Sequence, residues 1–396
     1  MNIVFLVFKY INMNRKIRVG MVGGGIGAFI GAIHRIALAM DGQYELTAGV
    51  FSTDESKSKE TGKQLFLDPK RVYTTYQSML EAESALSEDV RIDVVVIVTP
   101  NHLHFDPAIQ ALEKGFHVIL EKPITFSLAE AKLLHQKRLV TGKQLLLCHT
   151  YTGYPMVKQA KQLVSEGLIG AIRKIYVEYP QGWLSTFLET SKHKQADWRT
   201  DPTKSGLAGA MGDIGTHAFN LAEYITGLQV VRLCAAVNTV VEGRKLDDDG
   251  AALLTFNNGA SGVLISTQVA AGAENNISIR VYGEKGGISW CQENNNSLVI
   301  QWPDRPAETW RAGSSYLGSY AAHNTRTPAG HPEGYLEAFA NLYRNFALCL
   351  RAAHNGETPK QEWLDYPSTL EGIRGMAFIE SVIQSSKQQQ WIDFVQ

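Results

Sequence analysis

The chain has 396 residues, 44% hydrophobic and 19% charged, with 38 Lys plus Arg against 39 Asp plus Glu. Near-neutral charge without basic runs excludes nucleic acid and membrane as expected partners, and the length exceeds one ordinary core, so two domains are expected. Cys148, Cys234, Cys291 and Cys349 are scattered without CxxC spacing, which gives zinc or thioredoxin chemistry little support and makes a reducing cytoplasm the simplest setting.

Residues 1–12 form an apolar run too short to span a bilayer and without the leading charges or small-residue cleavage site of a signal peptide. They are expected to be a non-essential extension, counted as residues 1–14, and no other segment approaches spanning length. Next, Arg18–Gly25 reads as a buried strand entering a glycine-rich turn, with a helix from about Ile30. Glycines there let the backbone turn tightly beside a pyrophosphate, with helix amides facing its oxygens. A plain tight turn is the blander alternative, and the strand–turn–helix context favours the cofactor. Strands are predicted at Ile17–Val22, Tyr44–Phe51, Ile92–Thr99, His117–Leu120 and Gln144–Cys148, and helices at Ile30–Met40, Ser52–Leu65, Ser78–Ala85, Phe105–Glu113 and Leu128–Arg138. The continuous apolar run Asp93–Val98 fits a parallel strand covered on both faces, so residues 15–148 read as a doubly wound, dinucleotide-binding Rossmann domain.

Beyond Thr150 the pattern changes. A helix at Met156–Glu166 precedes period-two strands at Ile172–Tyr179, Leu253–Phe256 and Gly262–Val269, the last two joined by an Asn257-Asn258-Gly259 hairpin turn. Strands follow at Ser278–Tyr282, Gly287–Cys291 and Leu298–Trp302, then helices at Tyr335–Ala352 and Leu370–Ser386. Residues 149–396 therefore read as an α+β substrate-binding and oligomerisation domain with an open, mainly antiparallel sheet. Its apolar and aromatic face is expected to pair subunits into a homodimer or homotetramer.

Two constellations carry chemistry. Glu121-Lys122-Pro123 ends a predicted parallel strand, on the edge where such sheets bind ligands, and the residue before proline is pushed toward extended backbone. Asp213 and His217, four apart, share one helix face. Imidazole suits proton transfer near neutral pH, and a nearby carboxylate orients it. His217 is assigned as general acid/base and Asp213 as its orienter and a binder of substrate hydroxyls. A surface lysine, a helix-capping aspartate and a satisfied helix histidine are the ordinary readings of such residues taken singly.

The glycine turn, Thr99-Pro100-Asn101-His102-Leu103-His104, Glu121-Lys122-Pro123 and Gly212-Asp213-Ile214-Gly215-Thr216-His217 occur together in this order, with Trp198-Arg199 and the Gly283–Gly287 turn. Together they resemble the glucose–fructose oxidoreductase/inositol dehydrogenase (Gfo/Idh/MocA) family from about Lys16 onward. The resemblance implies that Lys122 donates a hydrogen bond to the reacting oxygen, that a cis bond precedes Pro123, and that Thr99, Pro100, Asn101 and His104 surround the nicotinamide ribose. Gly23, Gly25, Ile26, Ala28, Ile30, Ser52, Lys57, Glu121 and Lys122 itself complete the expected cofactor set. Trp198 and Arg199 look like pocket wall, although the guanidinium could equally hold Asp213 or Asp201. Tyr154, Gln181, Asn220, His323 and Tyr335 are further pocket candidates against a packing role. His102 and His104 form an HxH pair, but with no acidic or Cys partner nearby no metal is expected.

Two departures from the family pattern stand out. The glycine loop carries about three extra residues, leaving either Gly31 or Ala28 as its third position. Ser52 stands where an acidic residue would bind the ribose 2′-hydroxyl, and Ser52, Ser56 and Lys57 could take a 2′-phosphate that Asp54 would oppose. NAD is favoured, and NADP stays open. The expected activity is NAD(P)-dependent hydride transfer with a secondary hydroxyl of a neutral sugar, sugar derivative or cyclitol. The alternatives are an NAD-dependent glycosidase or lyase that oxidises its sugar transiently, and a non-catalytic NAD(P)-linked sugar sensor.

Overall fold

The computed structural model describes residues 15–191 and 194–394, so the expectation for residues 1–14 lies outside the described residues. Among these residues the chain forms two sheets. The first has five parallel strands, β1 (Ile17–Gly23), β2 (Tyr44–Val50), β3 (Val94–Val98), β4 (His117–Leu120) and β5 (Leu145–Leu147), in the order β2-β1-β3-β4-β5. Helices α1 (Phe29–Met40), α2 (Glu55–Gln64), α3 (Tyr76–Ala85), α4 (Phe105–Glu113) and α5 (Leu128–Thr141) alternate with them. All five residues of β3 are buried, as a strand of consecutive β-branched residues covered on both faces requires. Helix α5 starts at a Ser127/Glu130 capping box and stops at Gly142 in the left-handed region. The strand order reverses between β1 and β3, which opens a crevice at their carboxyl ends.

The rest of the chain contributes α6 (Pro155–Ser165), β6 (Ile172–Pro180), α7 (Lys194–Arg199), α8 (Pro202–Ser205), α9 (Thr216–Thr226), β7 (Val230–Asn238), β8 (Asp249–Phe256), β9 (Ser261–Thr267) and β10 (Ser278–Gly283). Then come β11 (Gly287–Cys291), β12 (Ser297–Gln301), β13 (Glu308–Arg311), α10 (Ser319–His323), α11 (Tyr335–His354), α12 (Thr369–Gln388) and β14 (Ile392–Asp393). The strands form one nine-stranded sheet, β13-β12-β11-β10-β6-β9-β8-β7-β14, antiparallel except where β6 meets β9. Along β8 the residues at 250, 252, 254 and 256 are buried while Ala251 and Leu253 face outward, the alternation that the hairpin reading anticipates. Strands β7 and β13 escape the sequence reading. In β7, Val231 and Arg232 are exposed together and blur the period, and β13 is a four-residue strand with Glu308 and Arg311 in it.

The last third of the chain returns to the first sheet. Helix α11 lies against α1, and its Phe339, Tyr343 and Phe346 share one core with Val19, Val94 and Val96. The Tyr44 hydroxyl donates to the Tyr343 carbonyl at 2.7 Å, and the Leu147 amide donates to the Pro367 carbonyl at 2.9 Å. No helix among the described residues is long and apolar enough to cross a membrane.

Candidate active site

A cleft of about 1130 Å³ runs from the β1–α1 glycine turn, past the carboxyl ends of β3 and β4, to α9 and the near edge of the large sheet. At its first end Gly23 and Gly24 have φ of 86° and 72°. A Cβ on Gly25 would sit 2.7 Å from the Phe51 carbonyl oxygen, and one on Gly31 would sit 2.4 Å from the Gly24 Cα. Gly31 is therefore the glycine that lets α1 close on the turn, while Ala28 is the residue capping α1. Among the described residues α1 has no side-chain cap and no acid in its first turn, so its leading amides are left for an anion. That arrangement fits a dinucleotide pyrophosphate.

At the other end Lys122 leaves β4 through a cis bond to Pro123. Its Nζ donates to the Asp213 carbonyl at 2.7 Å and to Asp213 Oδ1 at 2.8 Å. An ammonium has three N–H donors, so one remains for the cleft. Asp213 sits in a π-turn, Met211–Gly215, that runs into α9, and this turn brings it to the cleft together with His217. Its second oxygen accepts from Gln268 Nε2 at 2.9 Å and pairs with Arg199 Nε at 3.3 Å. Burial opposes ionisation of Asp213, but Lys122 and Arg199 outweigh it and hold the carboxyl well below the usual range. Burial, reinforced by Lys122 and His149, pushes the His217 imidazole well below its usual pKa, so at neutral pH it is an uncharged base. His217 is packed by the edges of Tyr151 and His149, with ring centroids 4.9 and 5.5 Å away. Its Nδ1 has no hydrogen-bond partner among the described residues. The Asp213 carboxylate thus acts on His217 through its charge.

Of the expected residues, the cleft is lined by Gly23, Gly25, Ala28, Ile30, Ser52, Thr99, Pro100, Asn101, Glu121 and Lys122, and by Gln181, Trp198, Arg199, Asp213, His217 and Tyr335. Glu121 serves the scaffold: one oxygen meets His34 Nε2 at 2.8 Å, the other accepts the Lys122 amide, and His34 Nδ1 meets the Tyr343 hydroxyl at 2.6 Å.

Other expected residues lie elsewhere. His104 is fully buried behind the strand-end loop, its ring nitrogens 2.7 and 2.8 Å from the Pro123 and Thr99 carbonyl oxygens, so it braces the loop. Lys57 points outward on α2 beside Asp54, whose carboxylate is used as that helix's cap. Ile26 is half exposed on the outer side of the glycine loop. Tyr154 is buried between Tyr151 and Trp290, Asn220 lies within α9, and His323 binds Asn345 at 2.9 Å. A residue's place in or near a motif does not fix which way its side chain turns.

The sequence reading missed a neutral polar wall facing Lys122 and His217, made of Tyr151, Tyr179, Asn275 and Gln292. These come from separate segments without a shared motif. Only the Tyr179-x-Gln181 alternation at the end of β6 offered a local signal.

A parallel Rossmann sheet with a phosphate-ready glycine turn, and an amine, carboxylate and imidazole at the far end of the same cleft, define a nicotinamide-dependent oxidoreductase. Residues 17–149 match the oxidoreductase family with an NAD-binding Rossmann fold, and residues 157–289 match the GFO/IDH/MocA C-terminal domain. The chain belongs to the Gfo/Idh/MocA family. It is 40% identical to an oxidoreductase from Sinorhizobium meliloti of known crystal structure, over 96% of this chain and 99% of that one, with a TM-score of 0.86. An inositol dehydrogenase homolog from Azotobacter vinelandii, solved with NAD+, is 33% identical over 96% and 98% of the two chains, with a TM-score of 0.90. Levoglucosan dehydrogenase from Pseudarthrobacter phenanthrenivorans is 27% identical over 96% of this chain and 99% of its own length.

Proposed function

We propose that the protein oxidises a secondary hydroxyl of a neutral sugar, sugar derivative or cyclitol, or reduces the matching ketone. The observation that carries this reading is the Lys122 ammonium, 2.8 Å from Asp213 and beside a neutral His217, at the far end of the cleft that begins at the glycine turn. When bound, the nicotinamide dinucleotide supplies the hydride acceptor or donor. Asp213 holds Lys122 in place, and the remaining Lys122 N–H donates to the substrate oxygen, steadying negative charge as it develops. His217 takes the hydroxyl proton as C–O becomes C=O, and returns it in the reverse direction. Among the described residues, the two Lys and Arg side chains that line the cleft, Lys122 and Arg199, are already engaged with Asp213, which favours an uncharged substrate. The relatives named for inositol and levoglucosan support the same class.

Two further features belong to this reading. Tyr176, Leu253 and Ile265 are exposed on the outer face of the large sheet and support subunit pairing through it. The four free cysteines suit a reducing cytoplasm.

The test is incubation of the purified protein with NAD or NADP and a panel of polyols, following the reduced cofactor by absorbance. Net accumulation of NADH or NADPH is expected with at least one cyclitol or sugar. Silence with every polyol, and with reduced cofactor plus keto-sugars, removes the dehydrogenase assignment.

A further inference from the structure

We propose that Asn275 is the hub that sets substrate specificity, holding a rigid neutral wall that reads the hydroxyls of the substrate remote from the reacting carbon. This rests on the polyol reading above. Asn275 lies in the connection between β9 and β10, and every hydrogen-bonding valence of its amide is used on wall partners. Its Oδ1 accepts from the Tyr179 hydroxyl at 2.7 Å and from Gln181 Nε2, and its Nδ2 donates to Gln292 Oε1 at 3.0 Å and to the Tyr151 hydroxyl at 3.3 Å. The Tyr151 and Tyr179 hydroxyls are also bonded to each other. One side chain thus ties together the β5–α6 connection, the end of β6 and the residue after β11.

The wall reaches the catalytic group. Gln268 Nε2 spans from Gln181 Oε1, at 3.4 Å, to Asp213 Oδ2, at 2.9 Å, and Trp183 Nε1 fixes Gln181 from behind at 3.0 Å. Phenols and carboxamides present both donors and acceptors, which is what a ring of hydroxyl groups needs. A carboxylate or phosphate seated against them would be desolvated without a counter-ion. Because the members bond one another, the wall keeps its shape without ligand, and little ordering cost falls on binding. A deoxy analogue would leave the Gln292 amide N–H groups, which the bond to Asn275 does not take up, desolvated and unpaired in the cleft, and sites built that way discriminate strongly.

The experiment compares wild type, Asn275→Leu and Gln292→Met, each loaded with NADH. Myo-inositol, D-glucose and their monodeoxy forms are titrated calorimetrically, and the kcat/KM ratios of parent to deoxy compound are measured in parallel. Wild type is expected to favour at least one parent over a deoxy form by about a hundredfold. In both variants that ratio is expected to fall below about tenfold, with parent KM raised and NADH affinity, read by fluorescence, unchanged within about twofold. Gln292→Met carries the test should Asn275→Leu not fold. Unchanged ratios in the folded variants overturn the proposal, as does a failure of NADH-loaded wild type to bind any of the polyols. Selective binding without turnover leaves the hub standing and removes the dehydrogenase reading instead.

Discussion

Lys122 meets Asp213 at 2.8 Å, Lys158 meets Asp365 at 2.6 Å, and each carboxylate carries a second cation, Arg199 in the first case and Lys161 in the second. In both, burial opposes ionisation and the cations outweigh it, leaving the Asp365 carboxyl at about 2. The difference lies in what surrounds the amine. Lys158 is fully buried on α6, and all three of its N–H groups are used, on Asp365 Oδ2, the Asp365 carbonyl and the Tyr224 hydroxyl at 3.2 Å. Lys122 keeps one donor facing a cleft, beside an uncharged imidazole. A buried ion pair by itself therefore identifies no active site. What sets Lys122 apart is a spare donor with room in front of it.

Removing each amine in turn has the largest expected effect. Lys122→Met, or His217→Ala, is expected to lower kcat/KM by about 10²–10⁴ per folded molecule, with NADH binding in His217→Ala close to wild type. Normal turnover in either variant would rule out the proton-transfer and oxygen-binding roles. Lys158→Met is expected to do the reverse. It strips the buried partner from Asp365 and should cost about 3–5 kcal/mol in denaturant unfolding, with kcat per folded molecule unchanged.

Acid separates the pairs from the histidines. Burial pushes His117 and His149 down to about 3, below the ordinary 6.5, so the unfolded chain binds more protons throughout that interval. Stability is then full above 6.5 and falls as the pH drops toward 3, by about 1.4 kcal/mol per pH unit for each ring. His117, whose Nδ1 accepts the Gln144 amide at 3.0 Å, is the cleaner probe, and His117→Gln should flatten the slope. Asp365 is low in the fold, so its contribution is present above the ordinary carboxylate range and is lost only as pH falls toward 2. A slope between about pH 4.5 and 6.5 that changes in Asp365→Asn would contradict this division. The smallest effect is expected at Lys161, whose side chain is 37% exposed. Lys161→Ala should shift unfolding by under about 1 kcal/mol, since solvent screens that arm of the pair.

The parts legible in the sequence were those with local signals. The Val94–Val98 run announces a strand covered on both sides, Ser127 with Glu130 marks a helix start, and Lys122, Asp213 and His217 each sit in a motif that fixes which sheet edge or helix carries them. Burial orientation was not legible. His104 and Tyr154 turn away from the cleft because backbone carbonyls and aromatic neighbours claim them. Lys158 and Asp365 are 207 residues apart with no pattern linking them, and Asn275 meets partners from three other segments of the chain. Such contacts are made by the tertiary fold alone.

Helix α11 has a consequence for how the protein comes into being. Tyr343 supplies the hydroxyl that meets His34, and Phe339 and Phe346 line one side of the first sheet. During synthesis the first 150 residues emerge with that side covered only in part, by α1, and must wait for almost two hundred more before α11 completes it. The nucleotide-binding part of the chain is thus among the first parts made and among the last to have its core completed.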